Sequence, residues 1–358
     1  MKNEIAVREM VELLKQEQGE GLQINEEEIV KEHTRKNANK STLTIKIVSI
    51  VGGQFACGQF ISFLYLFGLM KSGGALMGIG IALIVASLFA SRILQKLVFD
   101  TIAIFALSTG FFLLALGMYE SKFSENEICC WLVVASAAGL LISKNAMLIF
   151  ISLMTFSQSI LALILLNRFH ELIHLFITVN VIVLAYWMLN EGAIITWGKR
   201  FCELYDPVRI GLIFSLVSAF AFTTVQSVHD TADRFAWIPS VAMIPILLYV
   251  VKCILDVINV TLPKEKAIAY VIASLILAAT FFAPCISGAL VIILLCFLVN
   301  YRTGFVIVVP ALIYFVCHYY YDLNLTLLTK SILMLVPGVL FIFFYLLTNK
   351  KLQHNEEI

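Results

Sequence analysis

The chain opens on a polar stretch and then turns almost wholly apolar. In residues 1–43, Val7, Met10, Val11 and Leu14 recur at helical spacing among Glu and Lys. That spacing predicts an amphipathic helix. Gly19 and Gly21 end it, and Asn25 with Glu28 makes a capping-box-like start for a second short helix. From residue 44 onward hydrophobic runs follow nearly without pause. They predict about twelve membrane-spanning helices, over roughly 44–69, 73–91, 98–118, 127–144, 146–166, 172–190, 208–227, 237–256, 267–283, 286–301, 304–321 and 326–348. Spans nine and ten are short and meet at Ala283-Pro284-Cys285, as a tight hairpin or a re-entrant pair. The expected fold is therefore an all-α polytopic bundle. It divides into a cytoplasmic tail over 1–43, a transmembrane domain over 44–349 and a second tail over 350–358.

Composition agrees with the pattern. Of the 358 residues, 60% are hydrophobic and only 14% charged, against about a quarter charged in a soluble domain. The net charge of +1 leaves no basic surface for nucleic acid. No apolar leader opens the chain, so a cleaved signal peptide is not expected. The eight cysteines form no CxxC pair, and most lie in or beside apolar runs, where a thiol acts as a small hydrophobe. Basic residues set the orientation. With both termini in the cytoplasm, sixteen Lys and Arg fall on the inner side, with Lys2, Arg8, Lys15 and Lys31 further out in the tail, and only Lys71, Lys122, Arg168, Arg234 and Lys330 fall outside. Gly52 and Gly53 in the first span, and Gly74, Gly78 and Gly80 in the second, are candidates for close helix packing. Gly74 and Gly78 form a GxxxG pattern.

Candidate chemistry is sparse. His170-Glu171-Leu172-Ile173-His174 is an HExxH sequence. On a helix it places His170 and His174 on one face as zinc ligands, with Glu171 able to activate a bound water. A third ligand is required, and neither an HExxHxxGxxH extension nor an LDG segment follows. The plainer alternative is an interfacial first turn of the sixth span. In the predicted topology His229, Asp230, Asp233, His318, Asp322 and Lys330 join these residues at the outer face. His229 is the foremost candidate for a third zinc ligand. Lys252 and Asp256 lie one helical turn apart in the eighth span and can pair there, and ionisable groups within spans are costly. No cofactor is expected unless the HELIH segment holds zinc.

Two further segments carry a family resemblance. Tyr319-Tyr-Tyr-Asp322-Leu-Asn-Leu-Thr-Leu-Leu-Thr-Lys330-Ser331, followed by an apolar run with Gly338, resembles the C-terminal signature of bacterial multi-pass proteins grouped as domain of unknown function 4401, related to the 2157 group. Leu204-Tyr-Asp-Pro207-Val-Arg209-Ile-Gly211 is similar to a loop of the same proteins. The resemblance implies a Gram-negative inner membrane, no assigned activity, and a second envelope protein of the GDYXXLXY type as partner. Three functions follow as expectations. The first is a non-enzymatic membrane component working with that partner and the lipid bilayer. The second is a secondary transporter, with Pro284 marking a broken helix. The third is a zinc-dependent membrane hydrolase built on the HELIH segment.

Overall fold

The computed structural model describes residues 43–93, 97–143, 145–224, 237–257, 263–279 and 283–322. The predicted tails, the last predicted span, and His229, Asp230, Asp233 and Lys330 lie outside these residues. Every regular element among them is helical. The α-helices are α1 (Leu43–Leu66), α2 (Gly73–Ile93), α3 (Leu97–Glu120), α4 (Glu125–Ile142), α5 (Ala146–Leu166), α6 (His170–Leu189), α7 (Glu191–Thr196), α8 (Lys199–Thr223), α9 (Trp237–Val257), α10 (Pro263–Ala279), α11 (Pro284–Leu298) and α12 (Arg302–Asp322).

Eight of the described helices are long and apolar enough to cross a membrane: α2 to α6, α8, α9 and α12. The expected count of about twelve takes in more of the chain, since its last span, over 326–348, lies outside the described residues. Helix α1 is also apolar over Phe55–Leu66, and α11 is an apolar helix of 15 residues. Helix α10 begins Pro-Lys-Glu-Lys, and its 17 residues run to the edge of the described segment. The surfaces of the long helices are themselves apolar. Leu141, Val306, Val179 and Ile182 are each at least half exposed, the pattern expected where lipid replaces water.

The chain forms two compact units. The first comprises residues 1–163 and 198–208, and the second residues 164–197 and 209–358. In the first unit, α2 and α3 form the tightest pair. Ala103, Leu107, Phe111, Leu114 and Met118 make one buried stripe on α3, joined by Ile84 and Leu88 of α2 and Leu148 of α5. A second cluster joins Leu64 of α1 to Leu76 and Leu113. Glycine lets α2 and α3 approach, but the glycines in contact are Gly73 and Gly80, against Gly117 and Gly110. Gly74 and Gly78, the predicted GxxxG pair, point into open space. Gly53 meets the ring of Phe105, as expected of a packing residue, whereas Gly52 has no described atom near its missing side chain.

Local signals fix the helix ends. The turn after α3 is made by Lys122 at φ 63°, and Ser124 then caps α4. Its hydroxyl accepts from the Glu127 N–H at 3.3 Å, while the Glu127 carboxylate accepts from the Ser124 N–H at 2.8 Å. This reciprocal box satisfies two donors that the helix start leaves over. At the other end of α4 the Arg200 guanidinium donates to the carbonyls of Leu140 and Leu141, which lack partners inside the helix. Arg200→Ala should therefore destabilise the first unit by about 1 kcal/mol, as a charged hydrogen bond discounted for exposure. A shift of the melting temperature in detergent reads this. An unchanged melt would show that water caps α4 equally well.

In the second unit, Ile173, Ile177, Val181, Leu184 and Met188 line one buried face of α6. Met243, Leu247 and Val250 of α9 are buried too, as are Ile292 and Leu295 of α11. Ser215 of α8 donates to Asn180 Oδ1 of α6 at 3.4 Å, the interhelical role that a lone amide in an apolar helix suggests. Pro284 stands in the first turn of α11, where its missing N–H costs nothing. It begins a helix here.

Candidate functional site

The HELIH segment forms the first turn of α6 as predicted. Its side chains divide. His174 is buried, only 3% exposed, beside the buried Ile173 and Ile177. Glu171 is exposed in the first turn, where a carboxylate suits the helix dipole. The side chains of His170 and Asp322 lie outside the described set, as does His229. Among the described residues no group of three His, Cys, Asp or Glu side chains is placed to hold a metal ion. His318 is half-buried on α12, its ring 6.0 Å from that of Tyr314.

The expected pairing of Lys252 with Asp256 is replaced by another. The Asp256 carboxylate takes Lys266 of α10, at 3.1 Å, and Lys252 is exposed. Helices α9 and α10 pack together, so Lys266 comes within reach of Asp256 from the facing helix. Both partners are well exposed, and a surface pair of this kind contributes little to stability.

Among the described residues of the second unit, Arg209 is a buried charge. The sequence pattern puts it among the inner basic residues, with span seven expected to begin at residue 208. Helix α8 instead begins at Lys199 and runs through Pro207. Arg209 therefore lies ten residues into a helix, about 15 Å along its axis. It is only 7% exposed. Its guanidinium lies over the ring of Tyr301, 3.6 Å from the centroid, and its Nη1 is 3.9 Å from Glu191 Oε2. A planar guanidinium can stack on a ring and still direct its N–H groups outward in its own plane. Gly304 makes room beside this stack. A β-carbon there would lie 2.6 Å from Cys296 Sγ, 2.7 Å from the Tyr301 ring and 3.0 Å from Ile213.

A sequence signal for Arg209 existed. The Leu204–Gly211 segment combines an arginine with an otherwise apolar continuation, and an ionisable residue inside a span defaults to a functional candidate. What the sequence lacks is the position of its partners, 18 residues before it and 92 after it in the chain.

No curated protein and no solved structure matches the chain. The model of one family, described only as a domain of unknown function, matches residues 42–351, a range that includes both segments behind the expected resemblance, and the chain belongs to that family, DUF4401.

Proposed function

We propose that this protein is a non-enzymatic integral component of a bacterial inner membrane, both termini cytoplasmic, that works in complex with a second envelope protein of the GDYXXLXY type. The observation that supports it best is the open face of α2. Gly74, Gly78, Ile81, Val85 and Phe89 follow one another at helical spacing, and all five are exposed. The opposite face of the same helix is committed to α3 through Gly73 and Gly80. In lipid, apolar side chains gain little by leaving the surroundings. Helices associate where small residues allow close backbone contact. An exposed GxxxG flanked by larger apolar residues is the surface such an association uses.

The experiment is co-purification in mild detergent of the chain with a co-expressed GDYXXLXY-type protein. The wild-type chain should retain that partner, and Gly78→Leu should lose it. Retention of the partner by Gly78→Leu would remove α2 from the interface. Failure of the wild-type chain to hold it would defeat the proposal.

Secondary transport is the second reading, and Arg209 favours it. A desolvated cation in an apolar helix is costly and often marks a substrate path. The zinc-hydrolase reading gains nothing comparable, since His174 is buried while Glu171 faces outward.

A further inference from the structure

Arg209 touches the chain at two places where helices break. Helix α6 stops at Leu189, and Asn190 is both its C-cap and the N-cap of α7. Glu191 is the first residue after that break. Helix α11 stops at Leu298, and the chain turns through Asn300 at φ 53°. The Tyr301 N–H donates to Cys296 O at 2.7 Å, and α12 begins at the next residue. One guanidinium on α8 thus meets the residue after the first break through charge and the residue after the second through its ring. Gly304 and Ile213, one turn further along α12 and α8, continue the same close approach.

We infer that Arg209 is a conformational clamp, holding the α6–α7 and α11–α12 breaks in one arrangement. The two grips differ in kind. In the stack on Tyr301 the arginine is buried and the ring half-buried, with Gly304 close beside it. The grip on Glu191 is long, and the glutamate side chain is 41% exposed, so this is the side from which the clamp opens. Helix breaks are where a bundle absorbs backbone rotation, so a contact spanning two of them sets whether they move together. Cys296 reports the state. It is only 1% exposed and lies under the first turn of α12 beside Gly304, so it reaches solvent when that turn lifts.

The test is maleimide labelling of the full chain in detergent, read peptide by peptide by mass spectrometry. Cys130, Cys202 and Cys317 are exposed and serve as labelling standards, and the buried Cys129 of the first unit reports general unfolding. Glu191→Gln and Tyr301→Leu should each raise the labelling rate of Cys296 at least about tenfold, the equivalent of 1.4 kcal/mol in an opening equilibrium. Tyr301→Phe keeps the ring and should label like wild type. The clamp is overturned if Cys296 stays protected in both Glu191→Gln and Tyr301→Leu. It is equally overturned if Cys129 gains reactivity in step with Cys296, since the effect would then be loss of the fold at large. This inference rests on neither functional reading above.

Discussion

Gly80→Leu should abolish accumulation of folded protein, while Gly78→Leu, two residues away, should leave the melting temperature in detergent nearly unchanged. A β-carbon at Gly80 would lie 2.7 Å from the Leu114 nitrogen and 2.9 Å from the Gly110 carbonyl oxygen. These are backbone atoms of the facing helix and cannot rotate out of the way, so α2 and α3 must separate. The same lock repeats seven residues away, where a β-carbon at Gly73 would lie 2.6 Å from the Gly117 oxygen. Seven residues are close to two helical turns, so Gly73 and Gly80 stay on one face. Separating the helices there also loosens Leu107, Phe111 and Leu114 behind the glycines. Overpacking by a single methyl commonly costs about 1–3 kcal/mol, which sets the expectation for Gly80→Ala. Leucine adds bulk with nowhere to go, and total stabilities near 10 kcal/mol or less leave little reserve. Gly78 is exposed with no described atom within 4 Å, so a side chain there should shift stability by about 0.5 kcal/mol at most. Equal damage from the two substitutions would place the α2–α3 contact on the wrong face.

The same pair of glycines shows where sequence reasoning runs out. Hydropathy locates an apolar helix because a run near twenty residues long matches the thickness of a bilayer core. It does not orient that helix. An amphipathic pattern needs one face unlike the other, and a helix between protein and lipid is apolar on both. Gly74, Gly78 and Gly80 are thus legible as packing candidates but not as a set that splits across two faces. The same holds at the candidate sites. Spacing places His170 and His174 one turn apart, but burial of His174 against the core of α6 follows from what packs there. The start of α8 is hidden because Lys199 to Asp206 reads as a polar loop, whereas the helix carries those residues and Pro207 with it. The start of α4 is more legible. Ser124 and Glu127 carry a capping-box spacing, which places the first helical residue at Glu125 rather than 127. Asp256 illustrates the last kind of limit. A partner one turn away in sequence loses to Lys266, ten residues on, because a facing helix brings it closer.

The second unit has an equivalent point of failure at Phe220. Its ring is fully buried and lies where a side chain on Gly288 of α11 would be. On the other side it meets Phe315 of α12 edge to face, centroids 5.9 Å apart at 77°. One turn further along α8, the Thr223 hydroxyl and the Cys285 thiol lie 3.1 Å apart. Phe220 is thus the ring around which α8, α11 and α12 close. In water, Phe→Ala in a core costs about 3–5 kcal/mol. Within a bilayer the transfer part shrinks, because lipid receives a phenyl ring much as a core does, and lost packing against the cavity walls remains. Phe220→Ala should therefore cost about 2–3 kcal/mol, and Gly288→Leu at least as much by overpacking. The combination is the sharper experiment. Leucine at 288 would grow into the volume that alanine at 220 vacates, so the double variant should be more stable than the sum of the single losses by at least about 1 kcal/mol. Equilibrium unfolding in mixed detergent micelles measures all three. Strict additivity would mean that the two positions do not share one space, and that α8 and α11 are held together elsewhere.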